Sequence, residues 1–329
     1  MKTIYFHIGY PKAASTFLQK NVFKNQEKIH FINEHYWDEL LELSKFLFWS
    51  KKDEFENNIN KYLNLFDKLD SNKVSVISHE GYSNFSSNPN FRIDEIFLRL
   101  KKISEIKNIR FKFILVIRRQ GEYIKSRYAQ GHGLTGFYSV NKNFTKFNEL
   151  KNYFYRKEKT KYEINAFETF DYFKTYKDLK NILNSEPKIL IYEDLSINPK
   201  YFINSLVDFL GIKDQNIFKN IDFSVKNIGR KDPVSGEYFR KKNIYHKPLR
   251  GSLNLLADFT PFKSFFFNLF SRKFKDKVKI ISYKIDRLVN RHDKIILTKA
   301  DEYKIKEYYK VSNKNLSKLL QRNLNDLGY

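Results

Sequence analysis

The chain has 329 residues, with 61 Lys and Arg against 37 Asp and Glu, a formal net charge of +24. Its 41% hydrophobic and 30% charged residues exclude a disordered chain and leave room for one large domain or two. The absence of cysteine excludes disulfides and thiolate-bound metal, and no run reaches the ~18 apolar residues of a membrane-spanning helix. So basic a surface suits a polyanion: a nucleotide, an anionic glycan, nucleic acid or an acidic membrane face. The same excess of Lys beside Asn, Ile, Phe and Tyr is also what AT-rich coding produces. Met1-Lys2-Thr3 runs straight into an apolar segment with no room for a signal peptide, so the expected location is cytoplasmic, where a nucleotide donor is available.

In chain order, Ile4 to Ile8 reads as a first strand that stops at Gly9. A short loop, Tyr10-Pro11-Lys12-Ala13-Ala14, leads to Ser15-Thr16 and a helix expected over Thr16 to Asn25. A strand, a tight loop and a helix start together form an anion site, because the first N–H groups of the helix lack intrahelical acceptors. Tyr36 to Trp49 and, more weakly, Glu54 to Leu69 have helical spacing, and Trp37 and Trp49 are expected in the core. Val74 to Ser78 is a β-branched second strand that ends at His79-Glu80-Gly81. After a polar segment, Ser83 to Asn90, a helix is expected over Ile93 to Lys107.

Phe111 to Ile117 is a nearly continuous apolar run, as in a central parallel strand, and leads through Arg118-Arg119-Gln120 into a helix reaching Gln130. A glycine-dense loop, Gly131 to Gly136, contains His132; residues 145 to 184 look mostly helical. Lys188 to Tyr192 is a further strand, and Pro199 opens a helix ending at Gly211. Strands separated by helices imply right-handed crossovers and a parallel sheet covered on both faces, with ligands bound beyond the strand carboxyl ends. Those ends here hold Gly9 to Thr16, His79-Glu80, Arg118-Arg119 and Glu193-Asp194. The fold class is therefore α/β over residues 1–225, followed by a basic, aromatic-rich, mainly helical region over 226–329 packed on the core. Within that region, Leu253 to Phe270 concentrates Phe beside cations; a hydrophobic cap is the preferred reading and a membrane-interface segment the other. Thr298 with Asp301 is a capping-box variant that starts the last helix.

The loop Pro11-Lys12-Ala13-Ala14-Ser15-Thr16 is not the nucleoside-triphosphate loop, in which Lys directly precedes the hydroxyl residue. Its Pro-Lys-x-x-Ser-Thr order resembles the 5′-phosphosulfate loop of bacterial-type sulfotransferases that use 3′-phosphoadenosine-5′-phosphosulfate (PAPS), with Ala14 where that family commonly has Gly. A second match is Arg118 at a strand end with Ser126 eight residues later, the pair that in the family holds the donor's 3′-phosphate. Arg119 is an alternative to Arg118, and the Asn or Asp with Pro that commonly follows the Arg is missing. Tyr192-Glu193-Asp194-Leu195 resembles a third family segment, mostly structural, which would put Tyr192 near the adenine. Phe17 occupies the position where cytosolic members carry an adenine-stacking Trp. Arg230, in Gly229-Arg230-Lys231, loosely matches a late basic loop that closes over the 3′-phosphate. The resemblance covers about residues 1 to 215.

It implies a P-loop NTPase-like sulfotransferase fold and in-line transfer of a sulfuryl group from PAPS to an acceptor hydroxyl, with the 3′,5′-bisphosphate (PAP) as product and no metal. The acceptor is expected to be a carbohydrate, a glycan or glycolipid, with no nucleic acid partner and with peripheral membrane contact left open. The donor is assigned to Pro11, Lys12, Ala13, Ala14, Ser15, Thr16, Phe17, Arg118, Ser126, Tyr192 and Arg230. Lys12 would neutralise charge on the bridging oxygen. The base would be Glu80, with His79 second and His132 a distant third. Two other readings are a P-loop small-molecule kinase and a non-enzymatic polyanion- or membrane-binding protein.

Overall fold

The computed structural model describes residues 1–33, 37–82, 93–130, 147–212, 221, 223, 238–240 and 293–329. The chain divides into two compact units. The first comprises Met1–Tyr128, His132–Gly229 and Leu297–Tyr329; the second comprises Ala129–Gly131 and Arg230–Ile296. The residues after 225 therefore do not form one body, since the last helix returns to the first unit.

The first unit is built on five parallel strands: β1 (Lys2–His7), β2 (Ile29–Asn33), β3 (Val74–Ser78), β4 (Ile109–Ile117) and β5 (Lys188–Ile191), in the order β2-β3-β1-β4-β5. β1 is central: Ile4 pairs with Ser75 of β3 on one side and Phe111 of β4 on the other. Burial explains the near-continuous apolar runs. Ile4, Phe6, Ile8, Phe113, Ile114 and Val116 are fully buried, as in a parallel sheet covered on both faces. Phe6 packs among Tyr82, Phe111 and Phe113, with ring centroids 4.8–6.0 Å apart.

The helices begin and end where local chemistry dictates. The segment after β1 opens as α1 (Ser15–Phe17) and widens into a π-helix over Leu18–Phe23, where Lys24 N–H reaches the carbonyl of Gln19, five residues back. α2 (Asp38–Trp49) has Asp38 and Glu39 in its first turn, favourable to the helix dipole. α3 (Lys52–Asn58) stops early, and two short turns, Ile59–Tyr62 and Asn64–Asp67, replace the single helix expected to Leu69. α4 (Ile93–Lys107) and α5 (Gln120–Gln130) flank β4, and α6 (Phe147–Asn152), α7 (Lys161–Glu168) and α8 (Tyr172–Leu183) follow. β5 ends one residue earlier than expected because Tyr192 opens α9 (Tyr192–Ile197). In α10 (Pro199–Leu210) the Asn198 side chain caps the N-terminus, Pro199 takes the first turn, and Gly211 at φ +70° closes the helix.

The final helix, α11 (Lys299–Leu320), is capped by Thr298 and Asp301 in the expected reciprocal arrangement. It packs against α5, α7 and α8: Gln120 of α5 donates to Asn313 at 2.9 Å, Tyr309 donates to the Phe167 carbonyl of α7 at 2.9 Å, and the Phe173 N–H of α8 donates to Ser312 Oγ at 3.4 Å. In the second unit, β6 (Tyr238–Arg240) pairs antiparallel with β7 (Asp293–Ile295).

Two expectations are corrected here. β2 has no counterpart among the expected strands, because this short edge strand, Ile-His-Phe-Ile-Asn with one partner, has no clear apolar period. Trp49 is not a core residue; it is 54% exposed at the end of α2. Ser83 to Asn90, the Gly131 to Gly136 loop with His132, Arg230 and the Phe-rich Leu253 to Phe270 lie outside the described residues. Among the described residues no helix is long and apolar enough to cross a membrane.

Candidate active site

The strand order reverses at β1. Its connection leaves toward β2, whereas that of its neighbour β4 leaves toward β5, so the carboxyl ends of β1 and β4 flank the crevice where such sheets bind ligands. The loop after β1 stays zipped to β4: Ile8 N–H donates to Ile114 O at 3.1 Å and Tyr10 N–H to Val116 O at 3.3 Å. Gly9 is required by close approach, since a Cβ there would lie 2.4 Å from Nε2 of His7. The Tyr10 ring is buried against Tyr172 and Tyr123, and its hydroxyl meets Thr175 Oγ1 at 3.0 Å. The loop is thereby anchored in the core.

Beyond Tyr10 the loop turns sharply. Ala13 N–H donates to Tyr10 O at 3.0 Å, and both Lys12 (φ +69°) and Ala14 (φ +64°) adopt left-handed backbone. Each costs a non-glycine residue about 1–2 kcal/mol. Burial alternates through the loop: Pro11, Ala13, Ser15 and Phe17 are buried, whereas Lys12, Ala14 and Thr16 are partly exposed. The first helical hydrogen bond is Leu18 N–H to Ala14 O, so the N–H groups of Ser15, Thr16 and Phe17 have no intrahelical acceptor. Phe17 packs near Phe223, ring centroids 6.2 Å apart.

Arg118, at the end of β4, is 7% exposed and joins four elements. Its Nη1 donates to the Lys12 carbonyl at 2.8 Å, and its Nη2 lies 3.5 Å from Glu122 Oε2 on α5. Its guanidinium sits 4.4 Å over the Tyr192 ring, and its own carbonyl accepts from the Tyr172 hydroxyl at 2.6 Å. Ser126, two turns into α5, is also buried. Arg119 is more open, with a side chain 43% exposed and its Nε 3.4 Å from Glu193 Oε1.

At the end of β3 the two candidate bases have different surroundings. His79 is buried between Phe48 and Tyr82, and its Nδ1 accepts from Gly81 N–H at 2.9 Å. That bond makes Nδ1 an acceptor within its own turn. Glu80 faces the loop: the Ser15 hydroxyl, which donates to the Tyr10 carbonyl at 3.4 Å, and the charges of Arg127, Lys12 and His79 act on its carboxyl and favour the ionised form. Burial nevertheless dominates and holds the Glu80 carboxyl above the usual carboxylate value. Arg127, one residue after Ser126, is not among the residues that the sequence motifs single out, although its adjacency to Ser126 is an available signal.

Behind the loop, His7 Nδ1 lies 2.7 Å from Ser78 Oγ, which accepts from Gln19 Nε2 at 3.0 Å. Burial lowers the His7 pKa to about 3, so the ring is neutral. The Glu193-Asp194 pair is largely structural: Asp194 receives both Nη atoms of Arg322, at 2.5 and 2.9 Å. Among the described residues no group of His, Asp and Glu is arranged to hold a metal ion.

The chain matches the model of the sulfotransferase domain over residues 3–247. No curated protein matches it. Among solved structures it is similar to a sulfotransferase from Alicyclobacillus acidocaldarius, at 14% identity over 71% of this chain and 88% of that one, with a TM-score of 0.42. The sulfotransferase domain of the Synechococcus PCC 7002 olefin synthase is 15% identical over 71% and 86%, with a TM-score of 0.38. The sulfotransferase domain from the curacin biosynthetic pathway is 14% identical over 68% and 78%, with a TM-score of 0.34.

Proposed function

The chain belongs to the sulfotransferase domain family, and from that premise we propose that it transfers a sulfuryl group from PAPS to a hydroxyl of a carbohydrate acceptor. The observation that carries the donor assignment is the meeting of the Lys12 loop, Arg118 and Glu80 at the carboxyl ends of β1, β4 and β3. Unpaired helix-start N–H groups, a Lys, an Arg fork and two hydroxyls form a donor set suited to a doubly phosphorylated nucleotide. Lys12 and the N–H groups of Ser15 and Thr16 hold the 5′-phosphosulfate, Arg118 and Ser126 hold the 3′-phosphate, and Tyr192 borders the adenine.

In the transfer, the acceptor oxygen forms a bond to sulfur as the bond from sulfur to the phosphate oxygen breaks. Glu80 takes the acceptor proton; its raised pKa makes it a stronger base than an exposed carboxylate. Lys12 offsets the charge gathering on the departing phosphate oxygen. Glu80 is preferred to His79, because the Gly81 N–H occupies Nδ1 of that ring. The carbohydrate acceptor rests on the +24 charge, which favours anionic glycans.

The test is transfer of sulfur-labelled PAPS to a panel of oligosaccharides, glycolipids and small alcohols. Label on a sugar hydroxyl supports the whole reading. Label on the other hydroxyls alone removes the carbohydrate and keeps the donor. No transfer, together with no binding of PAP, removes the donor as well.

A further inference from the structure

The residues after α11 fold back over the ends of β4 and β5. Gln321 (φ +52°) ends the helix, a 3₁₀ turn spans Leu324–Leu327, and Gly328 (φ +88°) brings Tyr329 N–H to Leu324 O at 3.1 Å. Tyr329 is buried, and its hydroxyl donates to Glu193 Oε2 at 2.9 Å. The other oxygen, Glu193 Oε1, accepts from the Arg119 backbone N–H at 3.2 Å and lies 3.4 Å from Arg119 Nε. Gly328 is pressed against Arg119: a Cβ there would meet Arg119 Cδ at 2.9 Å. The fork of Arg322 on Asp194 pins the hook at its base.

We propose that this hook positions the 3′-phosphate subsite, with Tyr329 acting through Glu193 to fix the start of α5 and the adjoining Arg118. The inference rests on the PAPS reading. Glu193 caps the same helix end that carries the arginine pair. A carboxylate is welcome at a helix start but repels a phosphate bound nearby. Held by Tyr329 on one oxygen and by Arg119 on the other, it serves as a cap and its charge is offset. Without the phenol, Glu193 gains freedom to swing toward the same donors that the phosphate needs. Tyr329 and Glu193 are thus positioning residues, with no direct contact to the donor.

The experiment is calorimetric titration of the full-length wild type, Tyr329→Phe, Glu193→Gln and the double variant with PAP and, in parallel, with AMP, which lacks the 3′-phosphate. The expected result for Tyr329→Phe is about threefold to tenfold weaker binding of PAP, as for a lost hydrogen bond to a charged group felt at second hand. AMP affinity is expected to stay at the wild-type value. In the Glu193→Gln background, Tyr329→Phe is expected to add almost nothing, because its effect passes through that carboxylate. A Tyr329→Phe protein that binds PAP like the wild type overturns the hook, as does an equal loss for PAP and AMP or an undiminished effect in the double variant. If the single variant does not fold, Glu193→Gln alone decides, since altered PAP affinity with unaltered AMP affinity is required. A wild type that fails to bind PAP removes the donor reading, and the hook falls with it.

Discussion

Arg118 donates from Nη1 to the backbone carbonyl of Lys12 at 2.8 Å, so the side chain at the end of β4 shapes the loop after β1. The bond directly couples the two elements that the PAPS reading assigns to the donor. Replacing Arg118 with Ala is expected to weaken PAP binding more than tenfold and to cost about 2 kcal/mol of stability, because the part-buried Lys12 carbonyl and Glu122 lose a charged partner. Arg118→Lys is expected to recover only part of either, since an ammonium has no planar fork. Calorimetry and urea titration check both.

Glu80→Gln is expected to lower kcat by about 10²–10⁴-fold, with donor binding retained. Stability should move the other way. The folded carboxyl has a raised pKa, so the folded state binds the proton more tightly than the unfolded chain, and stability falls as pH rises through that window. The penalty is fully present above the raised pKa, and the amide does not carry it. Unfolding at pH 7 should therefore show the Glu80→Gln protein at least as stable as the wild type. The acid limb of the wild-type kcat profile is expected above the ordinary carboxylate range.

Lys12→Met is expected to reduce kcat by about 10²–10³-fold while PAP affinity falls less, the pattern of a group needed most as charge develops. Steady-state kinetics with varied donor separates the two.

Ala14→Gly is expected to raise stability by about 0.5–1 kcal/mol. The glycine relieves the strain at φ +64°, partly offset by the greater freedom of the unfolded chain. Ala14→Val should do the reverse, and thermal unfolding of the two proteins distinguishes them.

Asp301→Asn is expected to destabilise the protein by about 1 kcal/mol at pH 7 through loss of the cap at α11. Burial pushes the Asp301 carboxyl up, but hydrogen bonds from Thr298, Lys151 and Tyr155 outweigh it and hold the pKa at about 2. That contribution is present above the ordinary Asp value and is lost as pH falls through it toward 2. The difference between variant and wild type, measured by unfolding across that range, should accordingly shrink in acid.

Much of the fold is legible in the residues because the signals are local. Val74–Ser78 and Ile93–Lys107 have their expected bounds, and the caps at Asn198-Pro199, Gly211 and Thr298 act through neighbours a few residues away. The relations that the sequence hides depend on distant partners. β2 exists because β3 offers it hydrogen bonds, the π-turn at Leu18–Phe23 accompanies the bond of Gln19 to Ser78, and Tyr329 has meaning only beside Glu193. Of the candidate bases, the strand end offers His79 and Glu80 alike; only the Gly81 bond to one and the charges of Arg127 and Lys12 acting on the other distinguish them.

The place of β1 in the sheet also sets an order of events during synthesis. Ile4 finds its partners at Ser75 and Phe111, so the central strand emerges from the ribosome long before either neighbour. At ~5–20 residues per second, the loop after β1 waits several seconds for the β4 carbonyls that shape it. During that interval Ile4, Phe6 and Ile8 have no sheet to enter and depend on chaperones or transient collapse for cover. Translation pauses before residue 117 should therefore lower the yield of folded protein more than pauses after it.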